Sequence, residues 1–230
     1  MPSDNILVLG ATGATGLAFL HEVLGAESGP RLTLLVRNKG KLPEDLLQRD
    51  PSRVRVVEGG LANENKLDEA MEGVTAVVSF LGAYMSLYYL ITRSTPTPIA
   101  DSFHLIKKVM RKHGVKRLLA LSTPAHALPG EVYTWTQYIT TQILPPAIVP
   151  QGSAEMTAIA EVCADPEFDY TIFRVPHLNT GSADSKVYAG RYGADFKGTQ
   201  ELSRASLARW VWREIEQNTW IKDQPALGNY

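Results

Sequence analysis

Apolar positions along this chain keep two rhythms. Short unbroken apolar runs mark strands. Between them lie stretches whose apolar residues return at helical spacing. The first run is 6–9. After it, Leu17, Leu20, Val23 and Leu24 fall on one helix face. Runs at 32–36, 54–57, 75–81, 115–121 and 170–175 read as strands 2 to 6. A short helix is expected at 43–48. Another at 66–72 is entered through Asn63 and closed by Gly73. Residues 98–113 put Phe103, Ile106, Val109 and Met110 on one face. A helix at 153–164 is stopped by Asp165-Pro166. Ser203 caps a last helix that buries Leu207, Trp210, Val211 and Ile215.

Strands that are apolar throughout suit a parallel sheet covered on both faces, with the helices as crossovers. The expected fold is α/β, a Rossmann-type doubly wound parallel sheet, as a single domain over residues 1–230. Two segments break the rhythm, 83–97 and 124–152. Both are apolar insertions, after strands 4 and 5, at the sheet edge where ligands bind in open α/β folds. Both carry aromatic residues, including Tyr133, Trp135 and Tyr138. They are expected to line a substrate pocket, with a packing or dimer interface as the alternative.

Composition narrows the function classes. The 230 residues are 44% hydrophobic and 20% charged, with a net charge of −1. No bulk field draws the chain to nucleic acid or an anionic membrane. Cys163 is the single cysteine, so an internal disulfide is excluded and a reducing compartment fits. It sits in a helical run, as a buried inert thiol. No basic-plus-apolar signal segment opens the sequence, and no apolar stretch reaches the roughly 18–20 residues that span a bilayer. The expectation is a cytoplasmic protein, monomer or homodimer, with a small-molecule substrate. No His/Cys/Asp/Glu spacing resembles a metal site. A G-x-S-x-G elbow is also missing, which argues against a hydrolase triad.

The chemistry starts at Gly10-Ala-Thr-Gly13-Ala14-Thr15-Gly16, between strand 1 and the first helix. Strand, glycine turn and helix in that order indicate a dinucleotide site. Gly10 permits the tight turn, Gly13 lets a pyrophosphate approach the backbone, and Gly16 lets the helix pack closely. The helix N-terminus presents N–H groups and a positive dipole end. Thr12 and Thr15 add hydroxyl donors. An NAD site usually has an acidic residue at the end of strand 2. Here that position reads Val36-Arg37-Asn38-Lys39, with no carboxylate. A guanidinium binds a 2′-phosphate with a fork of hydrogen bonds. NADP(H) is therefore expected, read mainly by Arg37 with Lys39 as a weaker helper.

Four pieces then carry a family resemblance. They are LGATGATG ending at Gly16, LLVRN ending at Asn38, LALST ending at Thr123, and YTIFRVPHL ending at Leu178. LSRASLARWV, ending at Val211, is similar to the helix-opening signature near the end of such proteins. The chain resembles the atypical short-chain dehydrogenases/reductases of the NAD(P)H-binding, NmrA-like type, close to the biliverdin-IXβ/flavin reductase branch. The resemblance implies that Gly10, Thr12, Gly13, Thr15 and Gly16 hold the pyrophosphate and Arg37 the 2′-phosphate. It places Gly60 and Leu61 beside adenine, although Gly60 stands where an acidic residue is frequent. Leu81 and Gly82 would border the ribose. Ser122 and Thr123 would lie by the nicotinamide ribose, and Val175, Pro176, His177 and Leu178 by the nicotinamide.

Catalysis departs from the family pattern. Typical members use Tyr-x-x-x-Lys, but Tyr133 is followed by Gln137 and Tyr138 by Gln142. A tyrosine with no cation beside it keeps a pKa near 10 and is a poor base at neutral pH. The candidate catalytic residues are Tyr133, His126 and Ser122, with water as a further proton source. Three functions compete. The first is an NADPH-dependent oxidoreductase of a small hydrophobic, aromatic or polycyclic substrate of the secondary-metabolite kind. The second is a redox-neutral tailoring enzyme on the same fold, an isomerase, cyclase or dehydratase. The third is an NmrA-like dinucleotide-sensing regulator.

Overall fold

Strand β1 (Asn5–Leu9) lies inside the sheet and hands the chain through a glycine turn to α1 (Ala14–Gly25). This is a computed structural model, and it describes residues 5–83 and 87–230. The chain then runs through β2 (Arg31–Val36), α2 (Glu44–Leu47), β3 (Val54–Glu58), α3 (Glu64–Met71) and β4 (Ala76–Ser79). Next come α4 (Leu87–Thr92), α5 (Pro98–Lys112) and β5 (Arg117–Ser122). The second insertion holds α6 (Trp135–Tyr138), a π-helical turn (Ile139–Ile143) and α7 (Leu144–Ile148). It runs into α8 (Pro150–Cys163), followed by β6 (Asp169–Arg174), β7 (His177–Asn179), β8 (Val187–Gly190) and β9 (Glu201–Ser203). Helix α9 (Arg204–Gln217) and β10 (Ala226–Asn229) close it.

The main sheet has the order β3-β2-β1-β4-β5-β6-β10-β8. All its pairings are parallel except β8 against β10. The chain order reverses between β1 and β4, which opens the crevice where α/β sheets bind ligands. β1, β4 and β5 are buried almost throughout, as strands covered on both faces must be. Helix α1 packs on α9, and α5 packs between α3 and α8. The doubly wound sheet read from the apolar rhythm is therefore present.

The differences have local causes. Strand 4 ends at Ser79 rather than at Leu81, because the chain turns away beside Gly10. The helix expected from Ser153 begins at Pro150, whose fixed φ and missing N–H suit a first helical turn. The short strands β7 to β10 escaped the sequence reading. They lack a long apolar run and pair only at the sheet margin or with each other. In the first insertion, residues 84–86 of the expected segment 83–97 lie outside the described residues.

The LSRASLAR run has a visible structural job. Ser203 caps α9 by accepting from the Ser206 N–H. The hydroxyls of Ser203 and Ser206 donate to the carbonyls of Gly181 and Ser182, at 2.7 and 2.8 Å. Arg209 Nη1 reaches Ala183 O at 3.3 Å. Polar side chains spaced by three along one helix thus hold three consecutive carbonyls of the segment after β7.

Candidate functional site

The turn after β1 shows why its glycines are needed. Gly10 has φ +81, and a Cβ there would lie 3.0 Å from the Phe80 carbonyl carbon. The turn closes with the Gly13 N–H on Gly10 O at 3.0 Å. A Cβ on Gly16 would sit 2.3 Å from Gly10 O and 2.8 Å from Ala11 Cα. So α1 rests directly on the turn. Gly13 precedes the helix with no side-chain cap, and the first turn carries no acidic residue. Gly13 and Ala14 are exposed. The free N–H groups of this helix start therefore point to an open, uncompensated positive end, which suits a phosphate.

Beside this turn runs a cleft of about 230 Å³. Gly10 and Thr12 form its near end, and Val36 and Arg37 its far end at the tip of β2. Leu61 and Leu81 supply apolar walls from the loops after β3 and β4. Four further lining residues, Ala11, Leu35, Gly59 and Ile99, were not anticipated. Gly60 and Gly82 stand in open space, with nothing within 4 Å of an added Cβ. A chain of phosphate, ribose and base fits this sequence of donors, open backbone and apolar walls. Ile99 is held by a contact the sequence hid. Glu155 of α8, fully buried, accepts the Ala100 N–H at 2.8 Å and so caps α5 from another helix. Burial pushes its carboxyl pKa up.

At the tip of β2 the fold corrects one expectation. No carboxylate follows β2 in sequence, yet β3 delivers one. Val36 pairs with Glu58 in the parallel register, and Glu58 Oε1 accepts the Lys39 N–H at 3.3 Å.

The groups expected near the nicotinamide are placed differently from one another. Ser122 is fully buried, and its hydroxyl donates to Met156 O at 2.7 Å rather than facing the cleft. Thr123 is half-buried, its carbonyl accepting the His126 N–H. Val175 is buried, Pro176 and Leu178 are half-buried, and His177 is exposed at the start of β7.

Tyr133 belongs to a buried ionic cluster. Arg174 and Glu131 have side chains 0% and 1% exposed. Arg174 grips the carboxylate with both Nη atoms, at 2.8 Å to Oε2 and 2.5 Å to Oε1. It also donates to the carbonyls of His126 and Gln224. Tyr133 Oη donates to Glu131 Oε2 at 2.7 Å, and the Leu128 and Tyr192 N–H groups donate to the same carboxylate. Burial disfavours the Glu131 charge, but the hydrogen bonds and charge of Arg174 prevail and hold its pKa at about 2. Burial and then Glu131 push the Tyr133 pKa well above the ordinary tyrosine value. The tyrosine therefore keeps its proton. Burial, then the charge of Arg174, lowers the pKa of His126.

The two glutamines at the lysine positions are also engaged. Gln137 and Thr134 form a reciprocal cap at the start of α6, and Gln142 Nε2 donates to Pro124 O at 2.7 Å. Cys163 is buried, and burial drives its pKa up, as befits an inert thiol. His113 bonds Asp68 at 2.8 Å, away from the cleft. Among the described residues, no cluster of three or more His, Cys, Asp or Glu could hold a metal. Nor is any helix there long and apolar enough to cross a membrane.

Fold and cleft together define a Rossmann-type dinucleotide-binding protein. A family model described as NAD(P)H-binding matches residues 10–218, and the chain belongs to that family. A short-chain dehydrogenase/reductase from Veillonella parvula shares the fold at a TM-score of 0.77 and 20% identity, over 98% of this chain and 94% of that one. A wide-type short-chain dehydrogenase/reductase from the same organism, in complex with NADP, matches at 0.74 and 22% over the same shares. ChuY, an anaerobilin reductase from Escherichia coli O157:H7, matches at 0.72 and 16%, over 97% and 96%. The expected Rossmann-type fold and NAD(P)H-binding class are thus borne out.

Proposed function

We propose that the protein is an NADPH-dependent reductase of a small, hydrophobic, aromatic or polycyclic substrate. The observation that carries this reading is the cleft itself, which runs from the glycine turn before α1 to Arg37. In this reading the N–H groups of Ala14, Thr15 and Gly16 hold the pyrophosphate, with hydroxyls from Thr12 and Thr15. Arg37, aided by Lys39, takes the 2′-phosphate. Leu61 and Gly60 flank adenine, while Leu81 and Gly82 border the ribose. Thr123 and Val175 to Leu178 line the nicotinamide end. When bound, NADPH supplies a hydride.

The substrate side is read from the second insertion. Residues 132–154 contain no Asp, Glu, Lys or Arg, and they follow the C-terminal end of β5. Such a wall desolvates an apolar ring system at little cost in buried charge. Arg93 ties this segment to the first insertion by donating to Ala147 O at 3.3 Å. The proton is assigned to His126 or water, because Tyr133 and Ser122 are engaged elsewhere. Tyr133 instead anchors the base of the substrate loop through Glu131.

The same engagement of Tyr133 favours a second reading, a redox-neutral isomerase, cyclase or dehydratase. One experiment separates them. Purified protein is incubated with NADPH and a panel of quinones, flavins and polyketide-like ketones, following NADPH absorbance and product together. A reductase loses one NADPH per product. Product without NADPH loss establishes the redox-neutral reading, and no NADPH loss with any substrate overturns the reductase.

A further inference from the structure

We propose that Glu58 is a specificity-determining residue that tempers the choice of NADPH over NADH. The proposal rests on the dinucleotide reading of the cleft. It starts from strand register. Because β2 and β3 run parallel with Val36 opposite Glu58, both strands end at the same level. The Gly59 N–H locks that level by donating to Val36 O at 2.8 Å. The chain after β2 then folds back over the end of β3, and Glu58 Oε1 accepts the Lys39 N–H at 3.3 Å. Asn38 Oδ1 accepts the next amide, Gly40 N–H, at 2.8 Å.

Two consequences follow for a ligand at Arg37. First, the Lys39 and Gly40 amides of this loop already have acceptors. They are not offered to a phosphate, which must rely on the Arg37 and Lys39 side chains. Second, a carboxylate is held on the Lys39 backbone, two positions from Arg37. A 2′-phosphate carries about −1.5 to −2 charges, which Glu58 repels. A ribose 2′-hydroxyl, by contrast, finds in Glu58 the acceptor that NAD-binding folds usually place at the end of strand 2. Arg37 and Glu58 therefore pull in opposite directions on one atom of the ligand. Glu58 is exposed, so its effect is screened by salt over a Debye length of about 8 Å at physiological ionic strength. One charge–charge contact across water is worth about fivefold in affinity.

The test is titration of NADPH and NADH, each into the wild type and Glu58→Gln, at low and at physiological salt. Glutamine keeps an acceptor oxygen for the Lys39 N–H, so the loop is retained. The expected result is NADPH binding about fivefold tighter and NADH binding weaker, with the NADPH gain shrinking as salt rises. An unchanged ratio of the two affinities overturns the proposal. So does a parallel loss of both ligands, which marks a merely structural role in the loop. A wild type that binds neither dinucleotide overturns the cleft reading and this proposal with it. That result is visible before any variant is made.

Discussion

Gly16→Ala is expected to weaken dinucleotide binding by about tenfold or more, the largest loss from any single methyl group in the site. The added carbon would lie 2.3 Å from Gly10 O and 2.8 Å from Ala11 Cα, and both obstacles are backbone. Neither can swing aside as a flexible side chain does. Helix α1 must move away from the turn, and the N–H groups of its first turn move with it. Overpacking of this kind costs about 1–3 kcal/mol of stability, and each kcal/mol lowers Tm by about 2–4 °C in a domain of this size. Thermal unfolding and NADPH titration read the two effects separately. Gly13→Ala is the internal control. Its new Cβ meets Gly10 O only at 3.4 Å, so stability should hold while NADPH affinity falls, as expected of a carbon added at the proposed pyrophosphate position. Unaltered NADPH affinity in Gly16→Ala would remove the glycine turn from the site.

Glu131→Ala is expected to cost about 3–5 kcal/mol of stability, as removal of one partner from a buried ion pair does. The variant leaves the fully buried Arg174 without its counter-charge. It also releases the Tyr133 hydroxyl and the Leu128 and Tyr192 N–H groups, so the second insertion loses its fastening. Replacing both members with apolar residues, as in Glu131→Leu with Arg174→Met, should recover much of the loss. The pair also has a pH signature. The Glu131 pKa falls from 4.5 to about 2 on folding, so the unfolded chain binds the extra proton between those values. The stabilisation is complete above the unfolded pKa and disappears as pH falls through about 2, a change of about 3 kcal/mol. Denaturant unfolding from neutral pH down to strong acid should therefore show a shallower acid limb in Glu131→Gln. An acid limb identical to that of the wild type would mean that the pair does not titrate with folding.

Much of the architecture could be read from side-chain rhythm alone. Unbroken apolar runs such as Ile6 to Leu9 signal a strand covered on both faces, and the spacing of Phe103, Ile106 and Met110 signals α5. The glycine turn was equally legible, because its demands are backbone demands and glycine alone meets them at Gly10 and Gly16. What escaped were contacts between groups far apart in sequence. Glu58 falls just past the apolar run 54–57, and only the parallel register and the fold of the next loop bring it to the Lys39 N–H. Glu155 gave no sign that it caps a helix begun 57 positions earlier, at Pro98. Glu131 and Arg174 lie 43 positions apart, and only the fold joins them, with the Tyr133 hydroxyl donating to the same carboxylate. The strands β7 to β10 are too short to carry a period.

The measurement that bears most directly on the central claim is the affinity of NADPH and NADH for the wild type and Arg37→Glu. The account predicts wild-type preference for NADPH, since a charged hydrogen bond contributes about 1.5–3 kcal/mol. In Arg37→Glu, NADPH should weaken by about tenfold or more while NADH is retained or improved, reversing the preference. Equal affinities in the wild type that Arg37→Glu leaves unchanged would contradict it.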